Sequence, residues 1–345
     1  MTQISIFDEN NRLSKLSSLG DPLEKLNSVI NWNVFNPVLK KALAKEVKSS
    51  AGRPAYRYDM MFKILILQRI YNISDDQTEY QINDRVSFQR FLGLHLGDKI
   101  PDAKTIWLFR DTLVKTKVID RLFQEFNNQL AVKELITHKG TIVDATFIEA
   151  PHQHTKKDDY ERIKEGKLPE DLENEKDQKK RTHRIQQLDT YNRWTRKHGE
   201  QHYGIKNHTK VDADSKLIIS YSTTDAACAD GSQIIALLDE NDKNLYADSA
   251  YYGKPISEKL PEGITNNIHE RGARNHPLTE EQKQRNGVKS KTRCRIEHIY
   301  GFMTVSMHGL DIRSKGKARA EFFVGLTNLI YNMCRFSFLH KSALA

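Results

Sequence analysis

The chain has 345 residues, of which 38% are hydrophobic and 29% charged, with a net charge of +9 and a pI of about 9.2. That length suits two domains or one large domain with an appendage, and the basic balance favours polyanionic partners, nucleic acid or an anionic membrane surface. The start, MTQISIFDENN, is not a secretory signal, the most apolar short run at 64–67 is far too short to span a membrane, and Cys228, Cys294 and Cys334 form neither a disulfide framework nor a CxxC knuckle, so a soluble cytoplasmic protein is expected.

Residues 1–35 are weakly patterned, whereas 36–135 read as helical. Met60, Met61, Ile64, Leu65 and Leu67 recur at three- and four-residue steps, the spacing of an amphipathic helix. SDDQ at 74–77 is a helix start, with Phe88, Phe91 and Leu92 as a buried face beyond it. Pro101-Asp102 opens another helix carrying Ile106, Trp107, Phe109 and Leu113. Basic residues Lys40, Lys41, Lys45, Lys48, Arg53 and Arg57 fit either a helix-turn-helix reader of DNA or a packing domain with a solvated surface.

The character changes near Lys139. GTIVDATFI at 140–148 is short, β-branched and apolar, the signature of a buried strand. Residues 152–201 are extremely polar with both charge signs interspersed, an exposed or partly disordered insertion with a helix near its end. Segments 202–211 and 216–223 flank the turn sequence DADS and read as a hairpin. A short helix at 231–238, strands at 244–247 and 263–268, and helices at 291–307 and 318–336 complete a mixed α/β layout.

Three carboxylates stand out by position. Asp144 lies in the first strand of the α/β region, Asp248 where a strand meets SAYYG, and Glu297 in a helix rich in Arg and Lys. Phosphoryl transfer on DNA suits such a set. Two Mg²⁺ ions can activate an attacking oxygen and stabilise a leaving one, and Mg²⁺ takes hard oxygen ligands. Each residue also has a plainer reading. Asp248 suits a turn or helix cap, and Glu297 suits an ion pair with Arg293 four residues before it. Asp144 sits among Ile142, Val143, Phe147 and Ile148, where a carboxylate is costly unless paired or metal-bound.

These segments resemble the DDE transposases of bacterial insertion sequences, specifically the insertion-sequence-five group. GRPAYRYDMMFKILILQRIYNISD and IPDAKTIWLFRD resemble that group's N-terminal helical domain, and 140–338 its ribonuclease-H-like catalytic domain. The resemblance implies an α/β mixed fold. Residues 1–135 would be a helical DNA-binding domain. Residues 136–345 would be a ribonuclease-H-like mixed sheet flanked by helices, with the polar insertion at 152–201. GTIVDATFIEAP carries over the first catalytic, metal-binding carboxylate as Asp144, LYADSAYYG the second as Asp248, and RCRIEHIYGFM the third as Glu297, with Arg293 before it; HYGIKNHTKVD resembles the second strand. The related insertion-sequence-four group has a tyrosine and a lysine where this chain has Ser290 and Thr304, so those two roles are not carried over.

The implied activity is transposition: cleavage at element ends and strand transfer into target double-stranded DNA, with Mg²⁺ (Mn²⁺ substituting) and a homodimer on DNA. A catalytically silent DNA-binding derivative and a purely hydrolytic nuclease are the rival classes. Lys283, Arg285, Lys289, Lys291, Arg293 and Arg295 precede Glu297, and Arg313, Lys315, Lys317 and Arg319 follow it. That run fits a groove tracking a phosphate backbone, or an ordinary solvated helix face. Lys206, Lys210 and Arg313 are candidates for gripping transferred ends. His152 and His154, with His198, His202 and His208 nearby, lack a second ligand pair at zinc spacing. Asp225, Asp230 and His298 are candidates for supporting the carboxylates, the two Asp also for capping the next helix.

Overall fold

The structure is a computed structural model describing residues 6–44, 56–95, 97–153, 155–197 and 199–344. Lys45, Lys48, Arg53, His154 and His198 lie outside the described residues. The contacts divide the chain into two compact units: 1–135 with 302–309 and 325–345, and 136–301 with 310–324. The division falls at residue 135, as the sequence suggests, and the contacts add 302–309 and 325–345 to the first unit.

The first unit is helical: α1 (Ile6–Ser18), α2 (Pro22–Val29), α3 (Asn36–Leu43), α4 (Tyr58–Ile70), α5 (Asp75–Asp84), α6 (Val86–Leu92), α7 (Ala103–Lys115) and α8 (Ile119–Val132). Side-chain caps set several starts, because the first backbone N–H groups of a helix have no partner within it. Asp21, Ser74 and Asp102 accept from Leu23, Gln77 and Thr105 N–H. α6 ends at Gly93, whose φ of 67° suits a residue without Cβ.

α4 departs from the amphipathic expectation. Every residue from Met60 to Leu67 is buried, as is Arg69, so the helix runs through the core with no solvent face. Its two cations are satisfied there. Lys63 Nζ donates to Asn27 Oδ1 at 2.8 Å and lies over the Trp32 ring, and burial pushes its pKa down to about 8. Arg69 donates to Thr327 Oγ1 and to the carbonyls of Met307 and Gly309. Buried Asn332 likewise donates to buried Asn127. Such buried donors explain why the C-terminal residues belong to this unit.

The second unit contains a six-stranded sheet: β1 (Thr141–Glu149), β2 (Arg193–Lys197), β3 (Glu200–Asp212), β4 (Ile218–Asp225), β5 (Asn244–Tyr246) and β6 (Thr265–Asn266). β3 runs antiparallel to β1 on one edge; its other edge carries β2 along 200–204 and β4 along 205–211. β5 lies parallel to β1, and β6 parallel to β5. A mixed sheet with three antiparallel strands continued by parallel ones is ribonuclease-H-like. The expected hairpin is β3–β4. Its turn is built by Asp212, which accepts from the N–H of Asp214 and Ser215 and from the Ser215 hydroxyl.

Around the sheet stand α9 (Lys157–Lys164), α10 (Glu170–Glu173), α11 (Gln178–Gln187), α12 (Ile234–Leu237), α13 (Lys254–Ser257), α14 (Glu280–Arg293), α15 (Arg295–Gly301) and the start of α16 (Lys317–Leu344). Two expectations are corrected. The polar insertion is built from three helices and the edge strand β2, anchored by buried Ile163, Leu172, Asp189 and Asn192, too few apolar positions to show a pattern in the sequence. The helix expected at 291–307 is two: α14 starts at a Thr279–Gln282 capping box and stops at Arg293, and α15 begins at Arg295.

Both faces of the sheet are covered. Val143, Leu245, Ala247, Ile234, Leu237, Tyr251 and Ile268 form one core; Ile148, Ile205, Ile312, Ala320 and Val324 form the other. That accounts for the nearly continuous apolar run of β1.

Candidate active site

Strand alternation places the first two carboxylates. Val143, Leu245 and Ala247 share one core, so their neighbours Asp144 and Asp248 turn toward the opposite face. The parallel pairing sets Thr141 beside Leu245 and Ile142 beside Tyr246; the same register carried two residues further sets Asp144 beside Asp248. Asp144 also pairs across the sheet with Thr209, whose hydroxyl hydrogen-bonds Tyr300 Oη at 2.7 Å. Tyr300 lies on α15 three residues after Glu297, so this helix packs on the Asp144 face.

Arg293 ties the third carboxylate to the first. Its guanidinium lies 3.5 Å from Asp144 Oδ2 and 2.5 Å from Glu297 Oε1. The Asp144 and Arg293 side chains are 20% and 19% exposed, Glu297 59%, so the bridge runs from an enclosed carboxylate to an open one. Asp144 Oδ1 also accepts from Ala145 N–H at 2.8 Å. Burial pushes the Asp144 carboxyl up to about 6; the Ala145 N–H and Arg293 oppose this, and the charges of Asp248 and Asp230 add to it.

Asp248 also acts as a turn former. Its side chain accepts from Ala250 N–H and caps the single turn Ser249–Tyr251. Glu297 likewise makes the ion pair with Arg293 that its spacing allows. The plainer readings of both residues are present together with their convergence. Among the described residues, no three His, Cys, Asp or Glu side chains are already grouped to hold a metal ion. The donor set nonetheless fits a hard divalent cation: three carboxylates reach one face, and the enclosed one is destabilised by a like charge that a cation would offset.

The basic residues separate by environment. Lys210 is fully buried and pairs with Asp239 at 2.5 Å and with buried Asp242 at 3.0 Å. Asp242 in turn accepts from Thr141 Oγ1. A phosphate contact from Lys210 is thereby corrected: it holds the sheet to the loop before β5. Lys206, expected beside it, donates to the Cys228 carbonyl and pairs with Asp230 at 2.9 Å. Lys289 donates to the Ile268 carbonyl at 2.9 Å. Arg285 pairs with Glu270, and Arg295 bonds the Ala213 carbonyl. Lys291 and Arg313 are exposed.

The histidines and supporting acids are also placed. His152 packs tilted against Trp194 and edge-on to Tyr203. His208 is buried with Nε2 against Thr224 Oγ1, and burial pushes its pKa down to about 4. His298 lies 3.4 Å from Lys216 Nζ, and Asp225 caps Ala227 N–H. Asp230 contributes to the field at Asp144, which links it to the site.

Sequence reasoning passed over Tyr251 and Tyr300. Both phenols are pushed far up by burial and by the charge of Asp144, with Asp230 adding to each. The SAYYG and RIEHIYG motifs contained them, but only Asp248 and Glu297 were taken from those motifs.

The profile described as Transposase DDE domain matches residues 136–333, more than half of the chain, and the profile described as Transposase domain (DUF772) matches residues 11–112. The chain belongs to the DDE transposase family. The DDE domain thus spans the sheet, both cores and all three carboxylates of this transposase. A solved structure that matches is the cryo-EM structure of a piggyBac transposase synaptic complex with hairpin DNA, at 12% identity and a TM-score of 0.45, covering 93% of this chain and 73% of that one. Among the described residues of the transposase, no helix is long and apolar enough to cross a membrane.

Proposed function

We propose that this transposase cleaves DNA at the ends of its insertion sequence and joins the freed 3′ ends to target DNA, with Asp144, Asp248 and Glu297 as catalytic residues. The observation that carries this is the convergence of the three on one face of the sheet, two through strand register and the third through Arg293.

Asp144, Asp248 and Glu297 would hold Mg²⁺, or Mn²⁺ in its place. Two such ions, when bound, supply activation of the attacking oxygen and stabilisation of the leaving one. Asp144, the most enclosed of the three, is the ligand suited to face both ions. Arg293 compensates Asp144 and Glu297, and with a cation held by those carboxylates its guanidinium would be available to the scissile phosphate. Its fork of donors matches a phosphodiester. Exposed Lys291, on the helix that ends at Arg293, offers a cation for the flanking backbone, whereas Lys206, Lys210 and Lys289 are engaged within the fold. Water is the first nucleophile and the freed 3′-hydroxyl the second, so no protein–DNA covalent step arises. Two ends processed together require two copies of the chain on DNA.

The test is incubation of the protein with DNA bearing the repeats that flank its gene, with Mg²⁺ or EDTA, beside Asp248→Asn. Metal-dependent nicks and joined products, absent from the variant, are expected. Nicks without joined products would reduce the protein to a nuclease, and binding without cleavage under any metal would make it a silent DNA-binding derivative.

A further inference from the structure

The insertion between β1 and β3 is unevenly charged along its length. Residues 156–177 carry six cations and nine carboxylates, interspersed. α11, which follows, carries Lys179, Lys180, Arg181 and Arg184 and no carboxylate. None of its residues is buried, and Lys179, Thr182, His183 and Gln186 line one exposed helical face.

The fold sets a second run of the same sign against this helix. Residues 313–319, RSKGKAR, hold four cations and no carboxylate. Lys315 Nζ donates to the Gln187 carbonyl at the end of α11 at 3.2 Å, and Lys317 Nζ lies 5.5 Å from the centre of the Tyr191 ring. The loop starts at the far end of β1, where Ile312 N–H donates to the Glu149 carbonyl at 2.8 Å. Along β1 from Asp144 to Glu149 the chain rises roughly 17 Å.

Like charges gathered from two distant segments repel, and a surface meant only for water mixes its signs, as 156–177 does. Lys180 pairs with Glu175 at 3.2 Å and Arg184 with Asp171, but exposed pairs of this kind are weak and open to a stronger anion. An anionic membrane would require apolar side chains to insert, and α11 offers only Ile185. Lysine, threonine and glutamine side chains are instead the donors that phosphate oxygens of a duplex accept from.

We infer that α11 and the 313–319 loop form a separate DNA contact, which grips the phosphate backbone of the duplex away from the reacting phosphate. This rests on DNA as the partner of the three carboxylates. The rise along β1 puts the grip at least about five base pairs from Asp144. The contact is to backbone, so it adds affinity and orientation and reads no sequence.

The test measures binding of the full chain to a labelled duplex bearing the repeats that flank its gene, across a series of salt concentrations. EDTA is present throughout, so cleavage does not enter. Lys179→Gln with Lys180→Gln is expected to lower the salt slope by about 1.8. The matching pair with arginine in both places is expected to keep the wild-type slope. Lys164→Gln with Lys167→Gln removes as much charge from the same insertion, where Glu161 and Glu165 already pair with those lysines. That control is expected to change the slope by less than about 0.5. A glutamine pair in α11 with the wild-type slope overturns the α11 contact and leaves the transposase reading intact. A control that falls as far, or an arginine pair that falls too, also overturns it, because the effect would then be overall charge or structure. A wild type that binds no duplex overturns both readings. A wild type that binds with the expected slopes but never cleaves upholds the contact and removes only the transposition chemistry.

Discussion

Asp144 stands two residues past Ile142 and Asp248 two past Tyr246, and Ile142 and Tyr246 are paired where β1 and β5 run parallel. Alternation then sends both carboxylates to the face where α15 packs. Burial there pushes the Asp144 carboxyl up to about 6, and the charge of Asp248 adds to the rise.

That elevation sets a pH dependence. The folded value lies above the ordinary 3.8, so the folded chain binds more protons than the unfolded one between about pH 4 and 6. Stability from this group is intact below that window, is lost as pH rises through it, and stays lost above. Asp144→Asn should therefore stabilise the cation-free protein at pH 8 by about 1–3 kcal/mol and change little at pH 3.5 or below. Urea unfolding at the two pH values checks this; a variant less stable than wild type at pH 8 would contradict it.

Protons and cations compete for the same oxygens. Below about pH 6, Mn²⁺ affinity should weaken by up to about tenfold per pH unit, and it should level off above. Calorimetric titration from pH 5 to 8 reads it, and a flat profile would remove Asp144 from the ligand set.

Arg293 compensates Asp144 and Glu297 while no cation is present. Arg293→Gln should destabilise the metal-free protein by about 1–2 kcal/mol at pH 8, less at pH 5 where Asp144 is protonated. Millimolar Mg²⁺ should restore much of the loss. Equal destabilisation at both pH values would show that Arg293 acts by packing instead.

Lys210 and Lys291 carry the same charge in opposite environments. Lys210→Met leaves buried Asp242 uncompensated and should cost about 3–5 kcal/mol of stability. Lys291→Ala should stay within about 0.5 kcal/mol of wild-type stability, yet lower the salt slope of DNA binding by about 0.9. Chemical denaturation and binding at several salt concentrations separate the two. A Lys210 variant of normal stability but weak DNA binding would reverse the assignment.

The hairpin was legible because its turn chemistry is local: DADS supplies the carboxylate and hydroxyl that close it. The starts of α5 and α7 were legible for the same reason, through Ser74 and Asp102. The insertion was not. Its helices lean on Ile163 and Leu172, and a burial so sparse leaves no period to read. α4 reads as amphipathic from the steps of Met60, Met61, Ile64, Leu65 and Leu67, but the fold also buries Lys63 and Arg69 by supplying Asn27, the Trp32 ring and three C-terminal acceptors to them.

By itself the sequence determined the three carboxylates, their order, the apolar strand around Asp144 and the pairing range of Arg293 and Glu297, since each follows from neighbours a few residues away. Tertiary structure alone decided which cations are taken up in ion pairs within the fold. Lys206 and Lys210 face away from Asp144 on β3, and only the fold brings Asp230, Asp239 and Asp242 against them. It alone decided that the Tyr251 hydroxyl would be buried without a partner in the protein. Charge is written in the composition. Desolvation, which turns a charge into a pKa or an ion pair, depends on atoms that only the folded chain brings near.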